Sequence, residues 1–333
     1  MTQAPDRAKG ALNARRPMVL DSAVATFLRA RERAGEVSPH LMPVPEARVA
    51  LARLQAMMPL AEPAALQEVR FDAGEYGWVV ARIVLPTDAA EPLPIILYIH
   101  GGGWVMGDAV IYDRLIRALA NGARAAVVFV NYTLAPEAHH PVQVEQAYAV
   151  LCGVVKECGA LGLDASRIAI AGDCSGGAMA SAVTMLAKVR RGPEIALQLL
   201  LYPIVEDPAL IDASAAETIE GWLPRNALCG RANEAFRKDR QRLATTAFPL
   251  SAPLTDLNDL PEALIIVAEH DVARDGGEAY ARRLAEAGVT TTCVRYNGTI
   301  HDFMLLNVLG GSTASRGATA QSIAALRSAL HPK

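Results

Sequence analysis

AGDCSGGAMA, residues 171–180, follows the apolar run RIAIA (167–171) and leads into GGAMASAVTMLAK (176–188), which has helical character. Strand, sharp turn and helix are the context of a nucleophile elbow, G-x-S-x-G, in which the central residue attacks the substrate. Here the frame is Gly172-Asp173-Cys174-Ser175-Gly176, so a thiol holds the attacking position and the nearest hydroxyl comes one residue late. The elbow closes only if the residues two before and two after the nucleophile lack side chains. Gly172 and Gly176 meet that demand for Cys174. For Ser175 the equivalent positions are Asp173 and Gly177, and Asp173 would clash. Cys174 is therefore the candidate nucleophile, and Ser175 is placed to offer its backbone N–H.

Working outward, WVVARIVLP (78–86), PIILYIH (94–100), AAVVFVNY (125–132), RIAIAG (167–172), LQLLLYP (197–203) and ALIIVAE (263–269) read as strands. TTCVRY (291–296) reads as another. Several are unbroken Ile/Val/Leu runs, as expected of strands buried on both faces of a parallel sheet. VQVEQAYAVLCGVVKECG, the segment after the elbow, and GGEAYARRLAEAGV ending at Gly288 are helical in spacing. The alternation predicts an α/β fold, a mostly parallel sheet flanked by helices. Residues 1–60, including the amphipathic SAVATFLRARERAG, and residues 205–255 break it and read as helices and loops. An insertion at the carboxyl end of a parallel sheet lies beside the ligand crevice, so 205–255 is expected to form a lid on a main domain of residues 61–333.

Composition narrows the function classes. Hydrophobic residues at 52% and charged residues at 20% demand a large buried core and exclude disorder. A net charge of −3 and no basic cluster argue against a nucleic-acid partner. No apolar run is long enough for a membrane span, and MTQAPDRAKGALNARRP lacks the apolar centre of a signal peptide, so a cytoplasmic protein is expected. Cys152, Cys158, Cys174, Cys229 and Cys293 are scattered and odd in number, unlike a disulfide framework or a zinc motif.

An elbow nucleophile is served by an acid and then a base further along the chain. Asp271 stands at the carboxyl end of the ALIIVAE strand, and His301 lies in the loop GTIHDF after TTCVRY. Asp302 and Asp275 are rival acids, with no strand end to fix them. His270, next to Asp271, is expected to point elsewhere by strand alternation. His40, His139, His140 and His331 lie in loop or terminal contexts and are expected in solvent. YIHGGGWVMGD (98–108) sets three glycines directly after a strand, where backbone N–H groups can converge on a developing oxyanion. Gly102, Gly103 and Ser175 are the expected donors, with His100 holding the loop.

His100-Gly101-Gly102-Gly103-Trp104, NYTLAPE (131–137), GDCSGG (172–177), LYP (201–203), EHDVARD (269–275) and IHDF (300–303), in this order, make the chain resemble the hormone-sensitive-lipase family of α/β-hydrolases. The resemblance implies an eight-stranded α/β-hydrolase sheet with a helical cap from residues 1–60 and 205–255. It also implies carboxylic ester hydrolysis with no metal or cofactor, and carries the triad onto Cys174, Asp271 and His301. Two residues depart from the family pattern: Cys174 replaces serine, and Asp302 replaces the commoner glycine after the histidine. The expected chemistry is acyl transfer through a thioester on Cys174, with an ester, thioester or lactone as substrate. Either the cysteine is native, which suits a thioesterase, lactonase or acyltransferase, or a serine carboxylesterase has been altered at 174. Rival classes are a ligand receptor on a disabled hydrolase fold and a lyase using the same cavity. Homodimerisation is left open.

Overall fold

Residues 19–56, 62–87, 92–211, 222–236 and 244–332 are described by the computed structural model. Residues 1–18, the boundary expected near residue 60 and parts of the 205–255 insertion fall outside them.

Eight strands form one sheet: β1 (Ala64–Asp72), β2 (Trp78–Pro86), β3 (Leu93–Ile99), β4 (Ala126–Asn131), β5 (Leu163–Asp173), β6 (Leu197–Leu201), β7 (Glu262–His270) and β8 (Thr291–Ile300). Their order is β1-β2-β4-β3-β5-β6-β7-β8. β2 runs antiparallel to both β1 and β4, and every pairing from β4 to β8 is parallel. β3 and β6 are buried along their whole length, as their unbroken apolar sequences require. β1 escaped the sequence reading. It pairs on one side only, and most of its residues face solvent, so AALQEVRFD carries neither a continuous apolar run nor a clean alternation.

The crossovers are helical: α3 (Asp113–Ala123), α4 (Val142–Glu157), α5 (Cys174–Val189) and α7 (Arg274–Glu286), with α8 (Thr313–Leu330) closing the chain. α3 packs on α8, and α4 on α5. This is the α/β-hydrolase architecture that the resemblance implied. Before the sheet come α1 (Ser22–Ala34) and α2 (Val44–Ala56), and the described part of the insertion contains α6 (Arg225–Ala235). The two non-alternating regions touch. The Phe27 and Trp222 rings meet edge-on with centroids 5.4 Å apart, and the Arg231 guanidinium donates to the carbonyls of Pro39 at 3.0 Å and Met42 at 2.6 Å.

What matters for chemistry is where the parallel strands stop. β3 ends at Ile99, β5 at Asp173, β7 at His270 and β8 at Ile300. The segments that follow open with His100, Cys174, Asp271 and His301, so four distant pieces of chain converge at one edge of the sheet.

Candidate active site

The elbow is built as its glycines dictate. Cys174 has φ 52°, a left-handed backbone that a side-chain-bearing residue adopts only under constraint, and it is the first residue of α5. A Cβ on Gly172 would overlap the carbonyl oxygen of Gly176, and one on Gly176 would overlap the carbonyl oxygens of Ile99 and His100. The strained residue of the turn is thus 174 and not 175. Ser175 is fully buried, and its hydroxyl accepts the Trp104 N–H at 3.2 Å.

His301 Nδ1 lies 2.8 Å from Asp271 Oδ2, with both side chains buried. The sulfur of Cys174, a ring nitrogen of His301 and a carboxylate oxygen of Asp302 lie within 4.8 Å of one another. His301 Nε2 has no hydrogen-bond partner among the described residues, so the imidazole is hydrogen-bonded at one nitrogen and not at the other. Burial alone would lower the His301 pKa. The charges of Asp271, Cys174 and Asp302 outweigh it and hold the ring well above the ordinary histidine value.

Residues 100–104 form the second wall. Gly102 and Gly103 have φ of 91° and 61°, and a Cβ on Gly102 would overlap the Met106 carbonyl. Neighbouring amides are committed: Gly101 N–H reaches Tyr112 Oη and Asp173 Oδ1 at 3.0 Å each, and Trp104 N–H goes to Ser175. Among the described residues the amides of Gly102 and Gly103 meet no acceptor, and Ser175 N–H belongs to the first turn of α5, whose amides lack helical partners. His100 stacks on Tyr132 with ring centroids 4.2 Å apart, and burial lowers its pKa to about 4, so it supports the loop as a neutral ring.

Sequence reasoning gave Asp173 no role beyond its clash. Its carboxylate is fully buried and accepts the hydroxyls of Tyr98 and Tyr112 at 2.9 Å each, besides Gly101 N–H, so it ties the glycine loop to the elbow. Burial pushes its pKa from 3.8 up to about 7, the Asp302 charge adds to the rise, and its hydrogen bonds oppose it. The folded state therefore holds this proton more tightly than the unfolded chain. The associated stability is full below about pH 3.8 and is lost as pH rises through about 7. Asp173→Asn should flatten this part of the stability profile, read as a smaller difference between urea midpoints at pH 5 and pH 8 than the wild-type chain shows.

Of the rival acids, Asp275 is half exposed and pairs with Arg274 at 2.8 Å. Asp302 is buried and faces the other side of the ring, with Oδ1 3.6 Å from His301 Nε2. Its Oδ2 takes hydrogen bonds from Trp222 Nε1 at 3.2 Å and from His40 Nε2 at 3.1 Å. Two sequence expectations are corrected here. His40 is buried, because Asp302, 262 residues away in sequence, gives it a partner inside the protein. His140 is also buried, packed on the Phe236 ring, and burial lowers its pKa to about 4. His270 lies beside Asp271 with neither ring nitrogen hydrogen-bonded, and lines a void of about 10 Å³ with Asp271, His301 and Trp222, room for about one water.

Cys174, His301 and Asp302 are each at most 3% exposed. All five cysteines are free thiols. Among the described residues no helix is long and apolar enough to cross a membrane.

A family profile described as alpha/beta hydrolase fold matches residues 96–305, the span from β3 through the histidine loop. Carboxylesterase NlhH of Mycobacterium tuberculosis is 33% identical over 301 residues, covering 85% of this chain and 89% of that protein. Esterase LipI of the same organism is 34% identical over 273 residues, covering 78% and 80%. The crystal structure of a thermostable esterase from Pseudomonas putida ECU1011 superposes with a TM-score of 0.90 at 35% identity, covering 96% of this chain and 100% of that one. The chain belongs to the alpha/beta hydrolase fold family and, within it, is a carboxylesterase-like hydrolase.

Proposed function

We propose that this hydrolase cleaves small carboxylic esters by acyl transfer through a thioester on Cys174, with His301 as acid–base, Asp271 as its orienting partner, and Gly102, Gly103 and Ser175 as oxyanion donors. One observation carries the reading: a thiol on a strained elbow lies beside an imidazole whose far nitrogen is held by a buried carboxylate. In acylation the sulfur attacks the acyl carbonyl carbon and its proton passes to His301. The oxyanion is met by the glycine amides, then the carbon–oxygen bond breaks and His301 protonates the departing alcohol. In deacylation a water gives its proton to His301 and its oxygen to the thioester carbon. The acid leaves, and the proton returns to sulfur. The N-terminal helices and the 205–255 insertion, which meet at Trp222 and Arg231, act as the cap over this centre.

A rapid-mixing measurement tests the reading. With a p-nitrophenyl acyl ester, the chain should release a burst of about one p-nitrophenol per active site before a slower steady rate. Absence of both burst and turnover, in folded protein, would reject it. The pH profile carries a sign. Both proton transfers to His301 need the neutral ring, and the charges of Asp271, Cys174 and Asp302 hold its pKa above the ordinary histidine value. The steady rate should therefore level off at a higher pH than the roughly 6.5 of an ordinary histidine base.

A further inference from the structure

The two residues that depart from the family pattern, Cys174 and Asp302, meet at one point. Sulfur, imidazole nitrogen and carboxylate oxygen lie within 4.8 Å of each other, all three side chains are buried, and among the described residues this is the one His/Cys/Asp/Glu group so compact. His301 Nε2 is buried with no hydrogen-bond partner and is turned toward Asp302 Oδ1. We infer that Cys174, His301 and Asp302 form a binding site for a thiophilic divalent cation, zinc in the first instance, which shuts the hydrolase off.

The donor set suits that ion. Zinc takes thiolate, imidazole and carboxylate at about 2.0–2.3 Å, which puts tetrahedral ligand atoms about 3.4–3.6 Å apart. The Asp302 Oδ1 to His301 Nε2 separation is already 3.6 Å, and the sulfur, within 4.8 Å of both groups, has at most about 1.4 Å to close. Charge also balances: one thiolate, one carboxylate and a neutral imidazole neutralise a divalent ion in a buried place, and the thiol proton of Cys174, with any proton on the ligating nitrogen of His301, leaves to solvent as the metal bonds form. The groups behind the ligands are in position. Asp271 holds Nδ1 of the ligating histidine, and His40 and Trp222 hold the distal oxygen of Asp302. Such outer partners fix ligand orientation in metal sites. With glycine at 302 and serine at 174, neither the third donor nor the soft donor would exist. A metal here engages the sulfur and the imidazole nitrogen that catalysis needs, so it inhibits. The inhibition rests on the catalytic reading of Cys174; the binding does not.

The test titrates metal-free full-length chain with Co²⁺, reading thiolate-to-cobalt absorption, and repeats the titration with Zn²⁺ by calorimetry. One equivalent per chain is expected. The absorption should vanish in Cys174→Ala, persist in Cys293→Ser, and require at least about tenfold more metal in Asp302→Asn and about tenfold more in His40→Gln. In the unmodified chain, Zn²⁺ should slow iodoacetamide labelling of Cys174 about tenfold without protecting the exposed Cys293, a measurement that needs no variant to fold. Full absorption in Cys174→Ala, unchanged affinity in Asp302→Asn, or equal labelling with and without zinc overturns the site. Ester turnover that zinc leaves untouched in a chain shown to bind it overturns the inhibition. A chain that binds one metal but never turns over esters would sink the hydrolase reading and leave the site standing.

Discussion

Cys174→Ala is expected to cut kcat toward p-nitrophenyl acetate by about 10⁴–10⁶-fold while the chain stays folded. Losses of that size follow removal of a nucleophile that works as a unit with its base. The same interdependence fixes a second result: Cys174→Ala/His301→Ala should be no slower than either single change, because a base without a nucleophile has nothing to activate. Folding should survive, since alanine removes one buried sulfur and relieves none of the elbow's glycine contacts. Steady-state kinetics with circular dichroism as the folding check would decide. Retention of more than about a tenth of the wild-type kcat would move the chemistry to another group, and Ser175, one residue on and hydrogen-bonded to Trp104, would be the first to suspect.

Gly176→Ala is expected to have the largest effect on stability, about 3 kcal/mol, the upper end for overpacking, or a failure to accumulate folded protein. The added Cβ would meet the backbone oxygens of Ile99 and His100. Backbone of a buried strand cannot step aside as a flexible side chain does. The conflict is shared by three functional parts, because β3 leads into the glycine loop, α5 carries Cys174, and Asp173 joins them through Gly101. A contrasting change is Gly159→Ala, where a Cβ meets nothing within 4 Å and should shift the urea midpoint little. Equal midpoints for Gly176→Ala and Gly159→Ala would contradict the packing account.

These two expectations also mark what the sequence could reveal. The elbow was legible because its constraint is steric and local: glycines at 172 and 176 point to residue 174 as the apex, whatever atom sits there. The core strands were legible because β3, β4 and β6 are buried apolar runs. Asp271 and His301 could be picked out because strand ends are where side chains of a parallel sheet reach the crevice. Their 2.8 Å contact spans only thirty residues.

The rest was hidden for a common reason. His40 and Asp302 are partners across 262 residues, and no local pattern announces a buried pair of that separation. In the sequence Asp302 reads as a competitor of Asp271 and as a departure from the family's glycine, whereas in the fold it faces the opposite nitrogen of the ring. Asp173 looked like an obstacle because a carboxylate in an apolar strand end has no local partner. Its partners, Tyr98 and Tyr112, arrive from β3 and from the turn before α3. β1 was lost because an exposed edge strand needs no apolar signature.

Whether the sulfur itself carries the acyl group is the centre of the account. Brief incubation with an activated acyl ester, acid quench, digestion and peptide mass spectrometry would locate the label. The account predicts one acyl group per chain, on the peptide containing Cys174, labile to hydroxylamine and absent from Cys174→Ala. An acyl group on Ser175 or any other residue, or none in a chain that nonetheless turns over the ester, would contradict it.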